Sequence, residues 1–556
     1  MEYILIIVAV MVVIVILSKV SEVKNRKQLR SRLKREWGDT PEEEYSSDKL
    51  EYLKSYYLSV QDTHLDVDDI TWNDLDMDEI YMEMNNTQSS IGEEYLYSLL
   101  RKPCFSEEEL KERNRLMKFF DEKEEARLDL QMRLHEMGKL RSISVYEYIN
   151  RLEAQASQSN LIHYLLDLGL LSSIALVFVI PGLGGIGIFA FAITNIFHYY
   201  SCKAKIENYI TVFSYLFRLL DSTKSILHLD IPELSRYTDR LREDLKYFSK
   251  IKRGSFILAP KSANGNILDS ILDYFRMLFH LDLIKYNSML NFFKKNRKVL
   301  NRIYENIGYL DSMIAAASFR KQIAYYCEPE LTRSEKPFLS AKDLYHPLLE
   351  QPVPNSITEY RSVMLTGSNA SGKSTFIKTL AINAILSQTI FTSTTRSYQS
   401  SYFMIYSSMA LRDNIFSSES YYIVEIKSLK RILDHVNNEI PMLCFIDEVL
   451  RGTNTLERIA ASSRILNSLA GQNALVFAAT HDIELTHILE RSYSNYHFQE
   501  RIEDKQVLFD YRLHEGKAIS KNAIKLLDML GYPGEIIESA EQAAKEFLTD
   551  GEWSNL

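Results

Sequence analysis

The sequence predicts an α/β domain with a parallel sheet in the last third of the chain, joined to a long all-α region and to two apolar helical segments. Three observations carry this prediction. Short apolar strands, a glycine-rich loop and helical patterns alternate after about residue 333. Apolar residues recur at helical spacing, with Glu, Lys and Arg between them, over 46–160 and 203–324. The runs 3–18 and 161–200 are almost wholly apolar.

Length and composition are those of a folded protein with several domains. The chain has 556 residues, whereas a typical domain has roughly 100–200. Gly (19) and Pro (12) are sparse, so long disordered tracts are not expected. A net charge of −9 argues against a protein that coats nucleic acid through a broad basic face. The four cysteines lie far apart without C-x-x-C spacing, which predicts neither a disulfide framework nor a zinc site.

The first element is an apolar run at residues 3–18, close to the roughly 17–25 residues that a helix needs to cross a bilayer. Glu2 precedes the run and no A-x-A site follows it, so we predict an uncleaved transmembrane anchor over 1–20 rather than a signal peptide. Eight Lys or Arg residues between Lys19 and Glu36 predict a basic juxtamembrane helix over 21–65 and place the bulk of the protein in the cytoplasm. The alternative is a solvated basic helix without membrane contact.

The central apolar segment, 161–202, is predicted to form a helical hairpin. Residues 168–197 carry no charge, and the sequence PGLGG at 181–185 divides them into two arms. Each arm reaches about 20 residues only if Asp167 or His198 lies near an end, so the arms either cross the bilayer or dip into it. We expect residues 161–200 to cross the membrane, with a buried hairpin in a soluble domain as the alternative.

The strongest motif follows the short apolar strand 361–366, where G-x-x-x-x-G-K-S opens a helical pattern. This spacing lets backbone amides wrap phosphate oxygens at a helix N-terminus, and therefore predicts a site for ATP and Mg²⁺. Lys373 would neutralise the β and γ phosphates and Ser374 would bind Mg²⁺. The predicted nucleotide-binding residues are Gly367, Ser368, Asn369, Ala370, Ser371, Gly372, Lys373, Ser374 and Thr375.

Two further strands end in residues that suit the same chemistry. The strand at 443–446 leads to Asp447, a predicted Mg²⁺ ligand, and to Glu448, a predicted general base for the attacking water. The strand at 474–480 leads to His481, which either senses the γ phosphate or is a structural residue. Because ligands bind at the carboxyl ends of parallel strands, we expect one catalytic site with Lys373, Glu448 and His481, hydrolysing ATP to ADP and phosphate.

Several segments together resemble the MutS family, the DNA mismatch-repair ATPases, whose nucleotide domain is an ABC-type P-loop domain. The resemblance is strongest around the strand ends, with DEVLRGTNTLERIA from Asp447 and ATHDIEL from Ala479. It extends to YCEPEL and HPLLE before the loop, SYYIVEI from Ser420, and KAISKNAIKLLDMLGYPGEII near the C-terminus. The segments LDMDEI, SSIGEEYLYSLLRKP and LKERNRLMKFF resemble the opening of the family's helical lever domain.

The resemblance implies lever helices over 66–160 and 203–332, an ABC-type ATPase domain over 333–515, and a helix-turn-helix dimerisation segment over 516–556. It also implies a homodimer with composite ATP sites, in which the loop from Gly367 of one subunit meets the Ser420 loop of the other. Asn454 would lie at that dimer interface. The sequence departs from the family at Ser368, where the family has Pro, and at Ala370, where it usually has Met.

A larger departure lies at the N-terminus, where the anchor and basic helix stand in place of the family's mismatch-recognition and connector domains. The resemblance and the predicted anchor together imply a membrane-tethered ATPase. It would couple ATP binding and hydrolysis in a dimer to the binding of DNA, at a mismatch or another DNA structure. The alternatives are a membrane ATPase that acts on a protein partner or on its own hairpin without nucleic acid, and a scaffold that scarcely hydrolyses ATP. A basic cluster is either a DNA contact or a solvated lever face, and it comprises Lys294, Lys295, Arg297, Lys298 and Arg302 beside Phe292 and Phe293.

Overall fold

The computed structural model describes most of the chain and divides it into two compact units. The described residues are 2–140, 143–151, 159–248, 274–368, 370–409, 421–437, 439–451, 453–503, 506–518, 524, 527 and 531–550. One unit comprises 1–61, 81–99 and 112–322 and is helical; the other comprises 62–80, 100–111 and 323–556 and holds the sheets.

Helices account for all the regular structure before residue 330 in the described part of the chain. In chain order they are α1 (Glu2–Arg35), α2 (Ser47–Val60), α3 (Asp69–Asp74), α4 (Met77–Met84), α5 (Ser90–Arg101), α6 (Glu107–Glu122), α7 (Glu124–Met137), α8 (Val145–Arg151), α9 (Leu161–Val177), α10 (Pro181–Leu227), a 3₁₀ turn (Pro232–Leu234), α11 (Ser235–Phe248), α12 (Leu281–Lys295) and α13 (Arg297–Gln322). Within the described residues, the regions predicted to be helical from the apolar spacing, 46–160 and 203–324, consist mainly of helices.

The helical unit is built around α13, which is buried along most of its length. Asp311 on α13 is fully buried and accepts hydrogen bonds from the backbone amide of Gln88 (3.0 Å) and the hydroxyl of Ser89 (2.6 Å), just before α5. Burial raises the pKa of Asp311 to about 6. A Cβ at Gly92 would lie 2.2 Å from the Asp311 carboxylate, so glycine permits this close approach of α5 and α13.

The basic residues of α1 are paired with acidic residues of α7. Arg26 contacts Glu136 at 2.8 Å and Arg30 contacts Asp129 at 2.6 Å. α1 is one continuous helix across the predicted boundary between the anchor (1–20) and the basic helix (21–65). The side chains of residues 1–15 and 18 lie outside the described part of the structure, so the membrane anchor at 3–18 stays a prediction.

The apolar segment forms a hairpin of α9 and α10, but its second arm is longer than predicted. α10 does not end near residue 202 and runs without interruption to Leu227. No Gly or Pro occurs between Ile188 and Leu227, and the change in polarity there does not end a helix. The stretch Pro181–Ala204 is long and apolar enough to cross a membrane, and only 17% of its most apolar window is buried within the protein.

The second unit contains a six-stranded sheet in the order β12-β9-β4-β8-β7-β6, a four-stranded sheet in the order β1-β5-β2-β3, and the hairpin β10-β11. The strands are β1 (Glu330–Thr332), β2 (Leu339–Leu344), β3 (Asn355–Glu359), β4 (Ser362–Thr366), β5 (Ser397–Ser401), β6 (Met404–Ser408), β7 (Met442–Asp447), β8 (Ala474–Ala479), β9 (Tyr493–His497), β10 (Glu500–Glu503), β11 (Gln506–Phe509) and β12 (His514–Glu515). The helices among and after them are α14 (Lys373–Thr389), α15 (Tyr421–His435), α16 (Thr455–Ala470), α17 (Ile483–Ile488) and α18 (Gly534–Asp550).

The large sheet is parallel from β9 through β4, β8 and β7 to β6, and only the short edge strand β12 is antiparallel. β4, β7 and β8 are almost wholly buried, as expected for parallel strands that are covered on both faces. They coincide with the three apolar strands predicted at 361–366, 443–446 and 474–480. Their carboxyl ends therefore lie side by side at one edge of the sheet.

Residues 66–80 and 100–111, which the sequence assigned to the lever region, belong to the unit that contains the sheets, together with 62–65 from the end of the predicted basic helix. In α3, the carboxylate of Asp74 accepts a hydrogen bond from the hydroxyl of Ser407 on β6 (2.6 Å). The backbone amide of Cys104 donates to the carbonyl of Gln388 on α14 (2.7 Å). These contacts join residues far apart in the sequence, and helical periodicity gives no indication of them.

The structure also bears on the predicted basic cluster and on the predicted C-terminal helix-turn-helix. Phe293 in the predicted basic cluster is fully buried and its ring stacks on Phe213, so it is not available for stacking on a base. Arg302 in the same cluster is paired with Asp244. Most of 519–530 lies outside the described residues, so of the predicted helix-turn-helix at 516–556 the structure describes chiefly α18.

Candidate functional site

The glycine loop lies between β4 and α14, where the sequence predicted it. Gly367 (φ 148°) and Gly372 (φ 106°) adopt backbone angles that favour glycine, and Gly372 is the residue that precedes α14. A Cβ at Gly367 would lie 2.8 Å from the carbonyl oxygen of Phe498 and 2.9 Å from the hydroxyl of Ser371. The two glycines thus allow the chain to turn tightly and start a helix whose N-terminal amides face the loop.

Lys373 is buried and crosses the loop. Its Nζ donates to the carbonyl oxygens of Gly367 and Ser368, both at 2.8 Å. Burial lowers the pKa of Lys373, while the carboxylates of Asp447, Glu448 and Glu500 oppose that shift. The buried hydroxyl of Ser371 has no hydrogen-bond partner among the described residues. A buried cation and an unpaired hydroxyl inside a glycine loop fit the binding of phosphate oxygens.

Asp447 ends β7 and forms a hydrogen bond with the hydroxyl of Ser374 at the start of α14. Burial is the largest influence on Asp447 and raises the pKa of its carboxyl. A carboxylate and a hydroxyl supply the oxygen ligands that Mg²⁺ takes in phosphate sites. The two predicted Mg²⁺ ligands therefore lie together and suit the ion chemically.

Glu448 follows Asp447 in the left-handed backbone region (φ 58°) and is held at both carboxylate oxygens. Nε2 of His481 donates to Oε1 at 3.0 Å, and Nε of Arg451 donates to Oε2 at 2.8 Å. The hydrogen bond from His481 is the main cause of a pKa below the ordinary value for Glu448, and the charges of Arg451 and Lys373 add to it. Glu448 is thus kept ionised, as a proton acceptor must be.

A cavity of about 490 Å³ opens over the loop. It is lined by residues 370–375 and Glu448, and by residues between 344 and 355 that include Leu344, Leu349 and Val353. The aromatic side chains of Phe498 and Tyr511 also line it. A volume in the range of roughly 300–1,000 Å³, with both polar and apolar lining residues, is typical of sites for small organic ligands.

The structure brings together five of the predicted site residues: Lys373, Ser374, Asp447, Glu448 and His481. Asn369 and Ser420 lie outside the described residues. Asn454 is the N-cap of α16, and its side chain accepts a hydrogen bond from the amide of Glu457 at 2.9 Å. Its predicted place at a dimer interface stays a prediction.

One acidic residue near the loop was not identified from the sequence. The hydroxyl of Ser368 donates to Oε2 of Glu500, the first residue of β10, at 2.7 Å. Proline, which the MutS family has at this position of the loop, has no hydroxyl and could not form this bond. No motif marks Glu500, because it lies 132 residues from Ser368 in the chain.

Glu425 on α15 is a second residue whose role emerges from the structure. Its buried carboxylate accepts hydrogen bonds from the amides of Leu450 and Arg451, in the loop that follows Glu448. Burial is the largest influence on Glu425 and raises the pKa of its carboxyl. Leu450, like Glu448, has a left-handed backbone (φ 58°), so Glu425 supports a strained loop that carries the proposed base.

Comparison with known proteins identifies the second unit. Residues 363–548 match the model for MutS domain V. The chain is 26% identical over 324 residues to human MutS protein homolog 4, an alignment of 55% of this chain and 34% of that protein. It is 31% identical over 264 residues to endonuclease MutS2 of Carboxydothermus hydrogenoformans, covering 45% and 32% of the two chains.

A third relative is the DNA mismatch repair protein MutS of Thermotoga maritima, which is 28% identical over 258 residues, covering 44% of this chain and 32% of that protein. The chain thus matches about a third of the length of each of these relatives. The match to MutS domain V, at 363–548, includes the loop and the three strand ends described above.

Glu500 generates a prediction for nucleotide affinity. Its negative charge beside Ser368 and near Lys373 repels phosphate, so Glu500→Gln should lower the Kd for ATP about fivefold, equivalent to ~1 kcal/mol. Isothermal titration of the purified chain with ATP and Mg²⁺ measures this. The matched control is Glu515→Gln, which makes the same charge change on the edge strand β12. Equal affinities for the two variants would contradict the proposed repulsion.

Proposed function

We propose that this chain, which belongs to the MutS family through its domain V at residues 363–548, binds ATP with Mg²⁺ and hydrolyses it. The observation that carries the proposal is the convergence of Lys373, Asp447, Glu448 and His481 at the ends of β4, β7 and β8, beside a cavity that Lys373 and Glu448 line. Each of these residues supplies a different function that phosphoryl transfer to water requires.

In the proposed mechanism Lys373 moves its hydrogen bonds from the carbonyls of Gly367 and Ser368 to phosphate oxygens. Ser374 and Asp447 hold Mg²⁺, which neutralises phosphate charge when bound. Glu448 accepts a proton from the attacking water. Each oxygen of Glu448 already accepts one hydrogen bond and keeps a further lone pair that can accept from that water. His481 and Arg451 orient the carboxylate.

We also propose that the active form is a homodimer, with Ser420 and Asn454 completing the site of the facing subunit. The family resemblance is the main support. The hydrogen bond that the backbone amide of Leu450 donates to Glu425 gives further support, because α15 begins at the residue after Ser420. A nucleotide contact at Ser420 would be transmitted through Glu425 to the loop that positions Glu448.

The first test removes the proposed base without changing its shape. Glu448→Gln should lower single-turnover hydrolysis at least about 100-fold while retaining ATP binding, because only the proton acceptor is lost. With the product-forming step blocked, ATP should hold this variant as a dimer in size-exclusion chromatography. Lys373→Ala, which should bind ATP weakly, is the control for contaminating ATPases. Hydrolysis by Glu448→Gln at the rate of the unaltered chain would refute the assignment of the base.

We further propose that ATP binding is coupled to DNA binding through the helical unit. Support comes from the relatives, whose names describe DNA mismatch repair and an endonuclease. The described residues do not favour one DNA contact, since Phe293 of the basic cluster is buried and Arg302 is paired with Asp244.

The coupling predicts that duplex, mismatched or branched DNA stimulates ATP hydrolysis by the detergent-solubilised chain, with the best substrate giving several-fold stimulation. Stimulation should weaken as salt rises, because phosphate contacts release counterions. Lys373→Ala is the blank in each reaction. If no DNA binds at low salt and none changes the rate, the proposal fails in favour of an ATPase that acts on a protein partner or on its own hairpin.

The remaining proposal is that the hairpin of α9 and α10 crosses a membrane, with the bulk of the chain in the cytoplasm. In support, apolar side chains at the turn of the hairpin are exposed, with Phe178 at 87% and Val179 at 76%, and Phe197 on the second arm is 75% exposed. In a soluble protein, an exposed apolar surface of this extent would promote aggregation.

Crossing predicts that Val179→Cys reacts with a membrane-impermeant maleimide added outside intact cells, because two crossing arms place the turn on the far side. Tyr247→Cys, at an exposed residue of α11, is the matched control and should react only after permeabilisation. The unaltered chain gives the background from its own cysteines. Reaction of Val179→Cys only after permeabilisation would show that the hairpin does not cross.

A further inference from the structure

Three histidines from separate segments meet at the end of the hairpin that lies away from its turn. His163 is near the start of α9, His198 is on α10, and His280 immediately precedes α12. Their ring centres are almost equally spaced, with 5.2 Å between His163 and His198, 5.1 Å between His163 and His280, and 5.4 Å between His198 and His280. Chain segments 35 and 82 residues apart thus bring three imidazoles into a triangle.

The cluster is buried and its hydrogen bonding is incomplete. His163 is 4% exposed, and its Nδ1 has no hydrogen-bond partner among the described residues. Burying a polar atom without a hydrogen-bond partner is unfavourable, so such atoms usually have a ligand or a function. The surrounding hairpin is otherwise strongly apolar, and ionisable groups in such segments are uncommon unless they have a role.

His280 has a different environment. It is fully buried, and its Nδ1 lies 3.1 Å from a carboxylate oxygen of Asp167, while its Nε2 lies 3.2 Å from the backbone carbonyl of Asn195. The carboxylate of Asp167 can accept the N–H of Nδ1, and Nε2 then becomes an electron-pair donor once it gives up its contact with the carbonyl of Asn195, because a carbonyl oxygen can only accept. Asp167 and His280 thus form the pair that orients histidine ligands in metal sites.

We propose that this cluster binds one divalent transition metal ion of the zinc class, with His163, His198 and His280 as ligands. Three imidazoles that bind one tetrahedral ion through nitrogens at about 2.0–2.1 Å have their ring centres roughly 5 Å apart, which is the spacing of this triangle. Imidazole nitrogen favours Zn²⁺ and its neighbours in the first transition series, whereas Mg²⁺ favours oxygen. The site is therefore chemically distinct from the Asp447 site.

Binding requires rotation of the rings but little movement of the backbone. In the present side-chain orientations no three His, Cys, Asp or Glu ligand atoms of the described residues converge on one point. Rotation of the His163 and His198 imidazoles about their Cβ–Cγ bonds turns a nitrogen toward the centre while the ring centres move little. His280 keeps its bond to Asp167 and exchanges the carbonyl of Asn195 for the ion. The sulfur of Cys202 lies 3.7 Å from Nε2 of His198, so a thiolate or a water molecule can complete a fourth position.

A metal ion at this place would join α9, α10 and the start of α12. Without the ion, polar contacts among the described residues already link these segments. They include the pair of Asp167 and His280, and the hydrogen bond that the side-chain amide of Asn195 donates to the carbonyl of Leu278 (2.8 Å). The ion would add coordinate bonds to all three segments. The ion would thereby hold α9 and α10 together at the end of the hairpin that lies away from its turn.

The proposal is tested with the full chain, purified in detergent without a polyhistidine tag, loaded with Zn²⁺ and passed into metal-free buffer. Mass spectrometry of the bound element should give about one zinc ion per chain. His163→Ala and His198→Ala should each lower zinc affinity at least about tenfold, because each removes a ligand. His228→Ala is the matched control, since His228 caps the far end of α10 and its Nδ1 lies against the carbonyl of Lys224.

A second variant separates a metal site from a merely structural cluster. Asp167→Asn keeps the size of the side chain but weakens its hold on His280, and should weaken zinc about 10- to 100-fold without abolishing full occupancy at saturation. Co²⁺ in place of zinc should give the visible absorption of tetrahedral coordination, and His198→Ala should lose it. ATP binding, measured in parallel, reports that each variant is folded. An unaltered chain that retains no zinc, or His163→Ala and His198→Ala variants that retain as much as His228→Ala, would overturn the proposal.

Discussion

The parallel pairing of β4, β8 and β7 is the constraint on which the candidate nucleotide site depends. Register along these strands places Leu365 opposite Ala479 and Asp447 opposite the same residue on the other side. The residues that follow each strand are therefore fixed relative to one another before any side chain forms a contact. A shift of one residue would move Asp447 to the other face of the sheet and separate it from Ser374.

This constraint explains which parts of the site can be predicted from the sequence. The loop, Lys373 and Ser374 follow from local spacing, and Asp447 and His481 follow from the rule that parallel strands deliver ligands at their carboxyl ends. The chemistry of each residue is encoded within a few neighbouring positions. The strand positions and the loop were thus predictable because their signals are local.

The long-range contacts around the site could not be predicted in the same way. The bond between Ser368 and Glu500, the bonds from the amides of Leu450 and Arg451 to Glu425, and the placement of 62–80 beside β6 all join distant segments. Ser368 lies in the glycine loop and Glu425 in the segment from Ser420, but no local pattern indicates which distant residue each one contacts. The histidine cluster could not be predicted either. The cysteine spacing indicates no zinc site, and His163, His198 and His280 are too far apart in the chain to form a motif. Tertiary pairing alone brings such residues together.

The continuity of α10 has a mechanical consequence. A helix of 47 residues is a rod about 70 Å long, because each residue adds about 1.5 Å. Its first half lies in the apolar hairpin and its second half in the helical core, with no hinge residue between them. A tilt of about 5° at one end would therefore displace the other end by about 6 Å over that length. Such a rod converts a small rotation among packed helices into a displacement of several ångströms at the apolar hairpin.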